Sequence, residues 1–273
     1  MSKRSSSIAW WVIALLFTLS LAVYQRMTGP TYPVRGSLDI HGTEVKYRLI
    51  RSSESDKPAE IVIKNVSDEI TGEISFKRFK VDEPMQLRSF SRDGNNLTVT
   101  LPPEPAAGKL EYTVTLFDGS DQYVLNKEPV VIRFKGPVPP YILIPHILLM
   151  FLAMLFSTRT GIEALRKGNQ MRVYTGLTLL LFAAGGMILG PIVQKFAFDA
   201  YWTGWPFGRD LTDNKTLLAF VAWIIAYIRI RKSSKNNWWA VLAAVVLLLV
   251  YLIPHSMFGS ELDYSTGEVT TGE

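Results

Sequence analysis

The sequence predicts a membrane α-helical bundle of five transmembrane helices, with an all-β extracytoplasmic sandwich inserted between helices 1 and 2. Three observations lead there. Of 273 residues, 48% are hydrophobic and 19% charged, with a mean hydropathy of +0.16. That is too apolar for an ordinary soluble domain and too polar for a chain lying wholly in lipid. Five apolar segments approach the roughly 20 residues a helix needs to cross a bilayer. Between the first and second lie roughly 100 residues with period-two rather than helical alternation.

The first span runs from Ile8 to Tyr24, behind Lys3 and Arg4. Ser20 and Ala22 would suit signal-peptide cleavage, but Trp10 and Trp11 belong to the interfacial belt of a retained helix, so the expectation is an uncleaved signal anchor. The others run from about Tyr141 to Phe156, Val173 to Val193, Leu217 to Ile228 and Trp238 to Ile253. The fourth is short, and Lys215 and Arg229 are expected to snorkel at its ends. No Asp, Glu, Lys or Arg is expected deep inside any span.

Basic residues orient the bundle. Lys3 and Arg4 precede the first span, Arg159, Arg166, Lys167 and Arg172 separate the second from the third, and Arg229, Arg231, Lys232 and Lys235 separate the fourth from the fifth. With alternating spans all three clusters fall on one side, as the positive-inside rule requires. The expected location is the inner (cytoplasmic) membrane, multi-pass. The amino terminus, 158–172 and 229–237 are then cytoplasmic, whereas 32–135, the loop 194–214 and the carboxyl terminus are outside. Trp10, Trp11, Trp238 and Trp239 mark the inner interface, Trp202 and Trp205 the outer.

The expected domains are 1–31 (cytoplasmic terminus and signal anchor), 32–135 (outer sandwich), 136–256 (four-helix bundle) and 257–273 (extracytoplasmic tail, whose polar part Glu261–Glu273 is expected to lie flat or disordered). Strands in the sandwich are marked by Val45, Tyr47 and Leu49, by Leu97, Val99 and Leu101, by Tyr112, Val114 and Leu116, and by Val130, Ile132 and Phe134. Asp93-Gly94-Asn95-Asn96 and Asp118-Gly119-Ser120 supply turns. The stretch from Leu101-Pro102-Pro103 through Gly108 to Tyr112 and Val114 resembles the corner before a late strand in fibronectin type III and immunoglobulin-like domains. The resemblance covers 32–135 only. It implies a sandwich in which the Tyr112 hydroxyl ties back to the preceding loop, and a domain that binds or spaces rather than catalyses. His41, beside Gly42, reads as an exposed turn histidine.

The absence of cysteine excludes disulfides, thiolate metal sites, c-type haem attachment and cysteine nucleophiles. No phosphate-cradling glycine loop, zinc-protease helix or nucleophile elbow is present. Twenty-nine Lys and Arg against 24 Asp and Glu is too small an excess to imply nucleic acid, since it sits beside apolar spans. Gly185, Gly186 and Gly190 mark a small-residue packing face.

One repeat carries possible chemistry. Leu143-Ile144-Pro145-His146 recurs as Leu252-Ile253-Pro254-His255, and the topology brings both histidines to the outer leaflet. They read first as interfacial residues at proline-marked helix ends. The sharper reading makes His146 and His255 ligands of a b-type haem or another metal, with Arg209 at a propionate. The loop 194–214, rich in aromatics, would cap that pocket with Trp202, Trp205, Asp210 and Asp213. Asp213 is the expected N-cap of the fourth span, and Arg209 with Asp210 an expected surface ion pair. The leading functional expectation is a non-enzymatic accessory, assembly or interaction subunit in contact with membrane lipid and other membrane or periplasmic proteins. Alternatives are a haem-bearing electron-transfer or quinol-reactive subunit and, more weakly, a permease.

Overall fold

The computed structural model describes residues 3–233, 235–254 and 259–271. Helix α1 (Lys3–Thr28) leads into a strand-rich segment. Helices α2 (Pro140–Leu165), α3 (Met171–Phe182), α4 (Gly190–Phe198), α5 (Leu211–Lys232) and α6 (Trp238–Leu252) follow. A π-helical turn, Ala183–Leu189, joins α3 to α4, so that Met171–Phe198 reads as one long apolar helix. Among the described residues four helices are long and apolar enough to cross a membrane: Ser7–Thr28, Pro140–Leu165, Met171–Phe198 and Leu211–Lys232. The fifth expected span is a shorter apolar helix of 15 residues. At 1.5 Å per residue it is roughly 22 Å long, against a hydrocarbon core of about 30 Å.

The bundle closes on small side chains. Ala153, Ala219, Ala226, Ala240 and Ala243 are buried around Trp223 and Phe182, which lets backbones approach closely. Helix α2 touches α1, α3 and α6, and α5 packs between α3 and α6. The second and fifth apolar segments are therefore neighbours, and Tyr251 donates to the Met150 carbonyl at 3.4 Å. Gly185 and Gly186 serve the packing read from the sequence. A Cβ on Gly185 would meet Leu149 at 2.9 Å, and one on Gly186 would meet the Phe182 ring at 2.8 Å.

Two ionisable features depart from expectation. Helix α2 runs on to Leu165, so Arg159 lies inside it rather than in a loop. It is buried with Glu163, Nη1 to Oε2 at 2.7 Å. A charge is tolerated there because its partner sits one helical turn away. Lys215 does not snorkel. It is buried, and its Nζ donates to the carbonyls of Ile253 (2.6 Å) and Pro254 (3.2 Å) at the end of α6.

The strand-rich segment forms two sheets around one core. The first orders β1 (Val34–Ile40), β2 (Thr43–Leu49), β4 (Ala59–Ile63), β8 (Asn96–Leu101) and β7 (Ser91–Asp93). The second orders β3 (Ser52–Glu54), β11 (Val130–Lys135), β9 (Lys109–Asp118), β5 (Thr71–Arg78) and β6 (Gln86–Ser89), with β10 (Asp121–Val124) beside β9. Pairing is antiparallel except for β3 alongside β11. Alternation drives the arrangement: Leu110, Tyr112, Val114 and Leu116 of β9 point into a core shared with Ile61, Ile63, Leu97 and Leu101 of the other sheet. Gly94, at φ +56°, makes the turn between β7 and β8. The Tyr112 hydroxyl is buried as expected, but its acceptor is the Ile50 carbonyl at 2.8 Å, between β2 and β3, rather than the preceding loop. Burial also pushes that hydroxyl's pKa well above its usual value. His41 occupies the exposed β1–β2 turn, near Asp118 and Asp121.

The tail is neither flat nor disordered over its described part. Strands β12 (Ser260–Leu262) and β13 (Val269–Thr271) form a hairpin that returns to the start of β9. Leu262 N donates to the Ala107 carbonyl (3.1 Å). Glu261 pairs with Lys109 and Lys80, and the Tyr264 hydroxyl accepts from Lys109 N at 2.9 Å and donates to Lys109 O at 3.0 Å. A second attachment joins β11 to α4, where Gly136 N donates to the Ala197 carbonyl at 2.9 Å. No side chain fits at Gly136, because a Cβ would run into the Phe196 carbonyl.

Candidate functional site at the junction of sheet and bundle

The long apolar helix ends at Phe198, with Asp199 in the left-handed conformation (φ +61°). The expected outer loop is thus half helix, and the irregular part is confined to 199–210. There Trp202 Nε1 donates to the Trp205 carbonyl (3.0 Å), and Trp205 N donates to Asn214 Oδ1 (2.6 Å). These bonds fold the loop over the start of α5. Trp205 and Phe207 remain exposed, at 68% and 84%.

Two buried carboxylates organise what lies beneath. Asp210, not Asp213, is the N-cap of α5, and its Oδ1 accepts from Thr212 N (2.7 Å) and Asp213 N (3.4 Å). Asp213, one turn inside, accepts at Oδ2 from Thr203 N (2.7 Å) and Gln194 Nε2 (3.1 Å). Thr203 Oγ1 lies 3.1 Å from Asp210 Oδ2 and 3.4 Å from Asp213 Oδ2. One hydroxyl proton therefore serves two carboxylates. Ser260, carried in by the tail, adds a bond to Asp210 Oδ2 at 3.4 Å. The result is a polar lock joining α4, the loop, α5 and the tail.

Beside the lock is a cavity of about 120 Å³ lined by Arg133, His146, Gln194, Trp202, Asp210 and Asp213, among others. His146 is half-buried in α2, and its Nδ1 faces the Gly185 carbonyl at 2.9 Å. The π-helical turn makes that carbonyl reachable by taking the ladder to i−5 bonding there. Arg133 is 9% exposed, with its guanidinium 5.4 Å over the Phe198 ring. Burial drags its pKa down, with Asp210 and Glu261 opposing, although a guanidinium stays charged.

The structure thus brings His146, Trp202, Asp210 and Asp213 together and leaves two expected members out. Arg209 is exposed, and its backbone N donates to Thr271 Oγ1 (3.1 Å). Among the described residues it makes no ion pair with Asp210, whose oxygens are occupied by the cap and by Thr203. Trp205 faces outward. His255 lies outside the described residues. The cavity is well short of the roughly 300–1,000 Å³ of a cofactor-sized pocket. Among the described residues no cluster of three or more His, Asp or Glu forms a metal-binding group. Arg133, Gln194, Thr203 and Ser260 were missed by sequence reasoning. Arg133 alternates with the inward-facing Ile132 and Phe134 and so reads as an outward residue. It is covered only because α4 and the tail fold over that face.

Comparison with protein-family models, with curated protein sequences and with solved structures finds no match to this chain. The functional reading rests on the geometry.

Proposed function

We propose that the protein is a non-enzymatic accessory or interaction subunit of the inner (cytoplasmic) membrane that presents an immunoglobulin-like domain on its outer side. The observation that carries this reading is the double attachment of the sheets to the bundle, at Gly136–Ala197 and through the tail hairpin. A tethered catalyst needs an open site. Here the buried polar groups of the junction are spent on one another: both Asp210 carboxylate oxygens, Asp213 Oδ2 and Thr203 Oγ1 are engaged in the lock. The immunoglobulin-like assignment is supported by strand order: β2, β4 and β8 in one sheet and β5, β9 and β11 in the other follow the division found in such domains. A five-span count is supported by the tail, since α6 must return the chain to the side on which β9 lies. The orientation is supported by Arg159, Arg166 and Arg229, which stack on Trp11, Trp10 and Trp239 at the bundle end remote from the sheets.

A domain held this way offers its outer strands to partners. Leu87 on β6 and Val124 on β10 are 61% and 55% exposed. Photo-crosslinking residues at these two positions should give discrete adducts with an envelope protein in intact cells, and adducts at neither would contradict the reading. The absorbance spectrum of the detergent-purified protein separates it from the haem-bearing alternative. A featureless visible region is expected, and a Soret band abolished by His146→Ala would replace the proposal.

A further inference from the structure

A second, larger cleft lies between the last turn of α1, strands β3 and β11 and the end of α4. Its volume is about 550 Å³, and it meets the smaller cavity at Arg133 and Phe198. Its walls carry Arg26, Arg48, Arg51, Lys57, Arg133 and Lys135 against a single carboxylate, Glu54. Glu54 is held by Lys57 at 2.5 Å. Among the described residues the other five cations have no ion pair and no side-chain hydrogen bond.

So many like charges repel one another, and the fold does not place them at random along the surface. Arg133 is the clearest case. It is buried against Phe198, and the nearest carboxylates, Asp210 and Glu261, act on it from beyond ion-pair distance. A buried guanidinium without an anion is costly, and an anion entering the cleft would supply the missing partner. The position is equally specific. Arg26 closes α1 and Phe198 closes α4, so the cleft opens where two apolar helices end and the sheets begin. For spans lying in a bilayer that is the level of the phosphate groups. Ser52 and Ser53 add hydroxyls to the wall, and Pro33 and Ile50 add apolar surface.

We propose that this cleft is a binding site for a phosphate-bearing anion taken at the membrane surface. Guanidinium groups suit the ligand because they donate in planar pairs that match phosphate oxygens. The volume exceeds that of a bare phosphate ion and accommodates a headgroup. The chemistry is shared by the phosphodiester of an anionic lipid and by a soluble phosphate compound, and the depth of the cleft relative to the helix ends favours the lipid.

The test uses the full chain in detergent and native mass spectrometry with three probes: phosphatidylglycerol, phosphatidylcholine and pyrophosphate. Arg48 and Lys135 are exposed and Arg51 is half-buried, so the triple variant Arg48→Ala/Arg51→Ala/Lys135→Ala should keep the wild-type circular dichroism and melting temperature. Should it not, the exposed pair Arg48→Ala/Lys135→Ala replaces it. The expected result is preferential retention of phosphatidylglycerol over phosphatidylcholine, weakened about tenfold or more in the variant. Tight pyrophosphate binding with the same loss, and no lipid preference, would assign the site to a soluble anion. Equal binding by wild type and folded variant, or no binding of either anion, overturns the proposal.

Discussion

Arg159 and Glu163 sit one turn apart on α2 with side chains 3% and 7% exposed, and their surroundings explain how the pair survives there. The guanidinium lies 5.5 Å over the Trp11 ring and 5.0 Å over Tyr174, and Glu163 Oε1 also accepts from Gln170 N at 3.1 Å. Removing one partner strands the other, which typically costs about 3–5 kcal/mol. Glu163→Ala should therefore lower the melting temperature of the detergent-solubilised protein sharply, and an unchanged melt would show that the pair is not buried. Tyr112→Phe is a milder case. It deletes the hydrogen bond to Ile50 O while keeping the ring, and should cost about 1 kcal/mol in a denaturant melt of the full chain. That Tyr112 would face the core was legible from its place in an alternating strand, and that its hydroxyl would be bonded was implied by the resemblance of 101–114 to an immunoglobulin-like corner. Its acceptor was not, because Ile50 lies 62 positions away and no local pattern connects them. Arg159 was misread for a related reason: a charge count assigns basic residues to loops, and only the Glu163 partner makes the helical position tolerable.

The tail hairpin behaves as a clasp, and its chemistry predicts a pH response. Burial pushes the Glu261 carboxyl up, but Lys109 and Lys80 outweigh it, so the group titrates below its ordinary 4.5. Burial pulls the Lys109 ammonium below its ordinary 10.5 despite Glu261. That shift acts only in the alkaline range, since at pH 4 lysine is protonated in both states. A depressed carboxylate pKa contributes stability that is present above 4.5 and lost as pH falls through the lower folded value. A dye on Ser265→Cys, in a chain with no native cysteine, should thus show falling anisotropy as the solution is acidified below 4.5. Adding Glu261→Gln should loosen the hairpin at neutral pH and flatten the response, whereas an unchanged anisotropy through this range would rule out the clasp. Nothing in Ser260–Leu262 or Val269–Thr271 announces it. Each strand has three residues, too few for a period, and their partners outside the hairpin include residues from 50 to 152 positions earlier in the chain. The strands of 32–135 were legible because a half-buried sheet must alternate. The lock was legible in part: Asp210 and Asp213 stand out beside a helix start, whereas Thr203 and Ser260 meet only once α5 and the tail are in place.

For the whole molecule, the central claim is that sheets and tail meet on one side of a membrane that the helices cross. Lys215, bonded to the carbonyls of Ile253 and Pro254 just past α6, and Gln25, which donates to the Tyr251 carbonyl at 3.1 Å, tie the ends of α1, α5 and α6 together at the level where the sheets begin. The short α6, of 15 residues, packs against α2 and α5 and leads toward the same level. Single cysteines at Ser55, Ser265 and Ser234 test this directly with a membrane-impermeant maleimide on intact cells. Ser55 lies in the turn after β3, Ser265 in the tail and Ser234, outside the described residues, in the α5–α6 connection. The account predicts that Ser55→Cys and Ser265→Cys are labelled from outside and that Ser234→Cys reacts only after permeabilisation. Labelling of Ser234→Cys in intact cells, or opposite behaviour of Ser55→Cys and Ser265→Cys, would contradict it.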